Sequence, residues 1–268
     1  MSAVPPIIWS VAGHDSGGGA GLSADQRAAD ALGVHLCPVS AAITAQSTTE
    51  VTRVQAVDPA LLQAQLDTLA ADLPPRVIKT GLLGSADNVR LLCRAIDQWR
   101  RRSPVTVVVD PVLRASCGAD LADASLREAL REGLLPRADV LTPNRAEAQA
   151  LLGASAPDDL PAQAQALAEL GPATVVLTGG DAGGEHAADW LHDPLARGWL
   201  LLPRVPTPHH HGTGCTFASA LAAAMALGWP AADAAVLAKM ATTQALRHAR
   251  AVGQGAGPVV AQIGRAHV

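Results

Sequence analysis

Val105–Val112 reads Val-Thr-Val-Val-Val-Asp-Pro-Val. A β-branched run this short and this continuous is what a strand covered on both faces needs. It closes on Asp110, and an apolar strand end tolerates a charge only where a cation or donor meets it. Working outward, similar runs recur at Pro6 to Ala12, Val34 to Ile43, Val77 to Leu83, Asp139 to Thr142 and Thr174 to Thr178. Alanine-rich stretches separate them. Helices are predicted over Leu22 to Leu32 (ended by Gly33), Asp58 to Leu73, Ser85 to Arg101, about Ala124 to Glu132, Asn144 to Leu152 and Leu160 to Leu170. Asp58 with Pro59, and Ser85, are start signals. Ala45–Glu50, AQSTTE, reads as a polar turn. Past Thr178 the pattern changes. Ala187 to His192 and Trp199 to Val205 flank a stretch with Pro194 and Gly198, a hairpin signal. Two long helical stretches follow, Gly214 to Leu227 and Ala231 to about Arg250. The alternation predicts an α/β fold in three α/β/α layers, with a mainly parallel central sheet and an antiparallel edge hairpin. No linker or repeat interrupts it, so residues 1–268 are expected to form a single domain.

Composition narrows the function classes. Hydrophobic residues make up 49% of the 268 and charged ones 16%, far from a disordered chain. The net charge of −4 leaves no basic stripe for phosphate backbones, and one Phe with no Tyr leaves few stacking platforms. Nucleic acid and membrane partners are not expected, since no apolar run reaches the ~18 residues of a span. The N-terminus lacks a basic leader. Four scattered cysteines without a Cys-x-x-Cys pair suggest neither a zinc site nor a disulfide framework. The expected compartment is the cytoplasm. Lysine occurs only at Lys79 and Lys239.

Ligands of such sheets bind outside the carboxyl ends of the strands. Four polar clusters fall there. Gly13-His14-Asp15-Ser16-Gly17-Gly18-Gly19-Ala20-Gly21 follows the first strand, either as a flexible loop or as backbone that approaches a ligand. It lacks the lysine and hydroxyl of a triphosphate P-loop. His209-His210-His211-Gly212-Thr213-Gly214-Cys215 opens a helix whose free amides form an anion hole. Cys215 in that first turn reads as a buried hydrophobe or as a thiol of lowered pKa. Asp110, with Asn144 and Glu147, offers oxygens for Mg²⁺ held mostly through water. Asn144 and Glu147 also fit a capping box. Thr178-Gly179-Gly180-Asp181 is a turn or a phosphate contact.

Together these stretches resemble the hydroxymethylpyrimidine/phosphomethylpyrimidine kinases of thiamine biosynthesis, in the ribokinase-like superfamily. AGHDSGGGAGLSAD, AQSTTEV, KTGLLG, VVVDPV, LTPNRAEA, VVLTGGD, DWL and HGTGCTFASALAA carry the likeness over nearly the whole chain. The resemblance implies phosphorylation of the pyrimidine alcohol and then of its monophosphate, with ATP and Mg²⁺. It implies that Asp25 and Gln46 hydrogen-bond the aminopyrimidine, with Gly13, Leu82 and Val112 around the ring. Gly212, Thr213 and Gly214 would bind the transferring phosphoryl group, and Cys215 would face the substrate hydroxyl. Asn144, Thr178 and Gly180 would contact ATP, and Asp110 and Glu147 the metal. A homodimer is common in this family. The chain departs from it at Thr178 and near Ser116, where many members carry lysine, with Arg114 a partial substitute. Asp181 stands where histidine is usual. A related vitamin kinase of pyridoxal type, and a pyrimidine-binding protein that has lost catalysis, are the alternative readings.

Overall fold

The protein was analysed as a computed structural model that describes residues 4–180 and 183–261. Asp181 lies outside the described residues. In chain order the elements are β1 (Ile7–Asp15), α1 (Gly21–Ala31), β2 (His35–Gln46), β3 (Val51–Ala56), α2 (Pro59–Asp72), β4 (Val77–Thr80) and α3 (Ala86–Arg100). Then come β5 (Thr106–Val109), α4 (Ala124–Glu128), β6 (Val140–Leu141), α5 (Arg145–Leu152), α6 (Leu160–Ala168) and β7 (Thr174–Leu177). The last are β8 (His186–His192), β9 (Arg197–Pro203), α7 (Thr213–Ala226) and α8 (Ala231–Arg247).

These strands form one sheet in the order β3-β2-β1-β4-β5-β6-β7-β8-β9. The pairs from β2 through β1 and β4 to β7 are parallel. The valine run shows why. Val107 and Val109 enter the core on one face, with Trp9, Leu92 and Leu167, while Val108 enters the core on the other, with Ile8, Leu221 and Ala235. Alternation of side chains along a strand makes both cores from one apolar word. The second core is built largely of alanines on α7 and α8, which lets those helices lie close to the sheet.

Two expectations are corrected. The AQSTTE turn is shorter than expected, because β2 runs on to Gln46 and Val51–Ala56 returns as β3, antiparallel to it. The sheet therefore has antiparallel strands at both edges, with the expected hairpin β8–β9 at the other. β3 is an edge strand whose side chains are half-buried or exposed, so it carries no apolar word. The helix expected to Glu132 ends at Glu128 and continues as a π-helical turn, Ala129–Leu134.

Candidate active site

From β1 the chain steps to β2 on one side, then returns through α2 to β4 on the other. A crevice opens at that reversal. Here it is a cleft of about 640 Å³ beyond the strand ends. Gly13, Leu82, Val112, Thr44 and Gln46 line it from the β1, β2, β4 and β5 ends, Asn144, Glu147 and Thr178 from the β6 and β7 ends, and Gly212, Thr213, Gly214 and Cys215 from the start of α7. A Cβ on Gly13 would lie 3.1 Å from the Leu82 side chain and press on it.

The start of α7 is shaped by backbone. Gly212 is its N-cap at φ 82°, and no side chain caps the helix. A Cβ there would lie 2.2 Å from the Gly19 carbonyl oxygen, so only glycine fits. The first-turn amides are left for an anion. His211, just before, is tied on both ring nitrogens: Nε2 to Asp15 Oδ2 at 2.9 Å and Nδ1 to Ser116 Oγ at 3.0 Å. Asp15 also accepts from the amides of Gly17, Gly19 and Ala20 at 2.8–3.0 Å. Burial opposes ionisation of Asp15, yet His211 and these amides outweigh it and hold its carboxyl below the usual value. The glycine loop is thereby clipped to the α7 end.

Beneath the cleft lies a buried ionic cluster. Lys79 is fully buried, with Nζ 3.0 Å from Asp25 Oδ1 and 3.3 Å from Asp110 Oδ2. Asp25 also accepts from Ser10 Oγ at 2.6 Å and Ser219 Oγ at 2.7 Å. This corrects the assignment of Asp25 to the pyrimidine. Its side chain is fully buried, it already accepts from Ser10, Ser219 and Lys79, and it is absent from the cleft lining. Burial disfavours the Lys79 ammonium, but the two carboxylates win and raise its pKa. Burial pushes the Asp110 carboxyl up against the pull of Lys79. Asp110 Oδ2 is buried with no hydrogen bond, only the Lys79 ion pair.

Cys215 is half-buried and lines the cleft together with Asp110. Burial, with Asp110 and Asp25 adding to it, pushes the thiol up to about 12, against Lys79 and the Gly21 amide. The lowered pKa expected of a helix start is thus corrected: burial first, with the charges of Asp110 and Asp25 behind it, outweighs the helix end.

On the opposite side, Asn144 and Glu147 form the capping box of α5, each side chain 2.9 Å from the other's amide. Asn144 Oδ1 and Glu147 Oε2 are both engaged there, and Asp110 and Glu147 both line the cleft. Among the described residues no three His, Cys, Asp or Glu side chains gather as a metal cluster. Asp110 and Glu147, two carboxylates lining one cleft, suit Mg²⁺, which takes one or two carboxylates, waters and substrate phosphates. The Thr178 amide is bound to Pro143 O at 2.8 Å. Gly180 does not line the cleft, and its carbonyl accepts from Arg204 at 2.6 Å. Arg114 is paired with Asp120 at 2.7 Å. Sequence reasoning missed Lys79 as the hub. Its scarcity and its place in a buried strand were the available signals.

An uncapped, glycine-built helix end facing a pocket at the switch point of an α/β sheet is suited to holding an anionic group of a small ligand. A family model described as Phosphomethylpyrimidine kinase matches residues 15–260, and the chain belongs to that family. It is 44% identical over 259 residues to a hydroxymethylpyrimidine/phosphomethylpyrimidine kinase of Synechococcus elongatus, covering 95% of this chain and 96% of that one. Bacillus subtilis pyridoxal kinase, solved as an ADP complex, superposes with a TM-score of 0.86 at 30% identity, covering 96% of this chain and 98% of that one. A phosphomethylpyrimidine kinase from Clostridium difficile superposes at 0.76 with 30% identity, covering 90% and 99%.

Proposed function

We propose that the protein transfers the γ-phosphoryl group of ATP to 4-amino-5-hydroxymethyl-2-methylpyrimidine and then to its monophosphate, supplying thiamine biosynthesis. The observation that carries this is the α7 start, Gly212 to Cys215, opening on the Gly13–Leu82–Val112 end of the cleft. In this reading Gln46, half-buried and facing His211 at 3.4 Å, is the polar contact for the aminopyrimidine. The amides of Thr213 and Gly214 meet the transferring phosphoryl oxygens. Phosphoryl transfer asks for positioning and charge more than covalent help. Cys215, protonated at neutral pH, orients the substrate hydroxyl rather than acting as a thiolate base. Asn144 and Thr178 contact ATP. Asp110 and Glu147 hold Mg²⁺, which would neutralise charge on the phosphates.

ATP use is supported by the family and by the ADP complex of the Bacillus subtilis relative. We take the chain to act as one kinase domain. Among the described residues no helix is long and apolar enough to cross a membrane. Four free cysteines, Cys117 exposed among them, support a cytoplasmic setting. Val236 and Met240, one turn apart on α8 and 42% and 57% exposed, support a homodimer, which light scattering tests. Pyridoxal phosphorylation is the second reading, favoured by the higher TM-score to a pyridoxal kinase. Incubation with Mg-ATP and either the pyrimidine alcohol or pyridoxal, with products read by mass, decides. Pyrimidine mono- and diphosphate are expected, and pyridoxal phosphate alone would reverse the assignment.

A further inference from the structure

A triphosphate brings several negative charges into the cleft, so the cations on its wall can be sorted by whether they are already committed. Lys79 is buried between Asp25 and Asp110. Lys239 lies elsewhere, paired with Asp189 at 2.7 Å. Arg114 lines the cleft but is held by Asp120 at 2.7 Å. His211 is tied to Asp15 and Ser116. Arg127 also lines the cleft, as do Leu121 and, from α5, Gln149 and Ala150. It is half-buried, and among the described residues its guanidinium has no hydrogen bond or ion pair. It stands in the last turn of α4, just before the helix widens into the π-helical turn Ala129–Leu134. Such a widening re-aims side chains and recurs at functional sites.

We propose that Arg127 is the nucleotide-phosphate residue of this cleft, pairing its guanidinium with the polyphosphate of ATP. This rests on the kinase reading above. A free guanidinium matches phosphate oxygens bidentately and stays charged at any working pH. It thereby supplies the charge that neither lysine of the chain can bring to the nucleotide.

The test measures both turnover and binding in the full-length protein. Arg127→Ala is expected to raise the KM for ATP about tenfold while the KM for the pyrimidine stays within twofold. Binding titrations with ATP, ADP and AMP should show the loss shrinking as phosphates are removed, with AMP nearly unaffected. Arg127→Lys should recover part of the ATP affinity. Arg127→Gln, closer in length and polarity, guards against misfolding, and both neutral variants should melt within a few degrees of the parent. Equal losses for ATP and AMP, or an unchanged ATP affinity in folded Arg127→Gln, would overturn the proposal. If the parent binds ATP but phosphorylates no pyrimidine, the kinase reading fails, while the ATP-against-AMP comparison still judges Arg127.

Discussion

Cys215 shows how much a single side chain depends on neighbours that the sequence keeps far away. A thiol at a helix start reads as reactive, but burial, with the charges of Asp110 and Asp25 behind it, keeps this one protonated. Alkylation by iodoacetamide at pH 7.5 is therefore expected at exposed Cys117 first, with Cys37, Cys93 and Cys215 slow, as peptide mass mapping would show. Rapid labelling of Cys215 would contradict that environment. Cys215→Ala should lose most turnover yet bind the pyrimidine within about threefold. Cys215→Asp would set a third carboxylate beside one ammonium, and it is expected to melt below Cys215→Ala. Asp25 is the companion case. Stripping one partner from a buried ion pair costs about 3–5 kcal/mol. Asp25→Ala should thus lower the unfolding free energy by about that much, seen in urea titration, rather than act on ligand affinity alone.

At the scale of elements, α5 carries two roles on one residue. Glu147 caps the Asn144 amide and also lines the cleft. Asn144→Ala should cost about 1 kcal/mol through the lost cap. Glu147→Gln keeps a capping acceptor, so its melting temperature should hold while the Mg²⁺ concentration for half-maximal rate rises. An unshifted Mg²⁺ titration would leave Glu147 as a cap and nothing more. The capping box, the uncapped glycine start of α7 and the central parallel strands were legible because each is written within a few adjacent residues. β3 was not, because VTRVQA is an edge strand with little to bury. The Asp25–Lys79–Asp110 cluster was not, because three separate elements bring its charges together and no local pattern announces it. Gly180 was read from its local pattern alone, whereas it is absent from the cleft lining and its carbonyl accepts from Arg204, distant in sequence.

For the whole molecule, Asp15 and Asp110 act on acid stability with opposite signs. The folded-state pKa of Asp15 is depressed, so its contribution is full above the unfolded value of about 3.9 and is lost as pH falls through the lower folded value. Asp110, raised in the folded state, takes up its proton sooner than the unfolded chain and eases the loss as pH drops. Asp15→Asn should therefore flatten the acid limb of a stability–pH curve below about pH 4, measured by denaturant titration. A limb of unchanged slope would remove Asp15 from that role.

The Asp15–His211 clip joins positions 196 residues apart, and it ties the glycine loop on one side to the helix start on the other. A ribosome therefore extrudes the whole parallel sheet before the residue that completes the cleft has been made. Contacts of such sequence separation form late, after the cost of closing so long a loop has been met. A nascent chain stalled before His211 would carry most of its strands and no working site. In refolding, ellipticity should return ahead of enzymatic turnover, and the interval between them would time the arrival of α7.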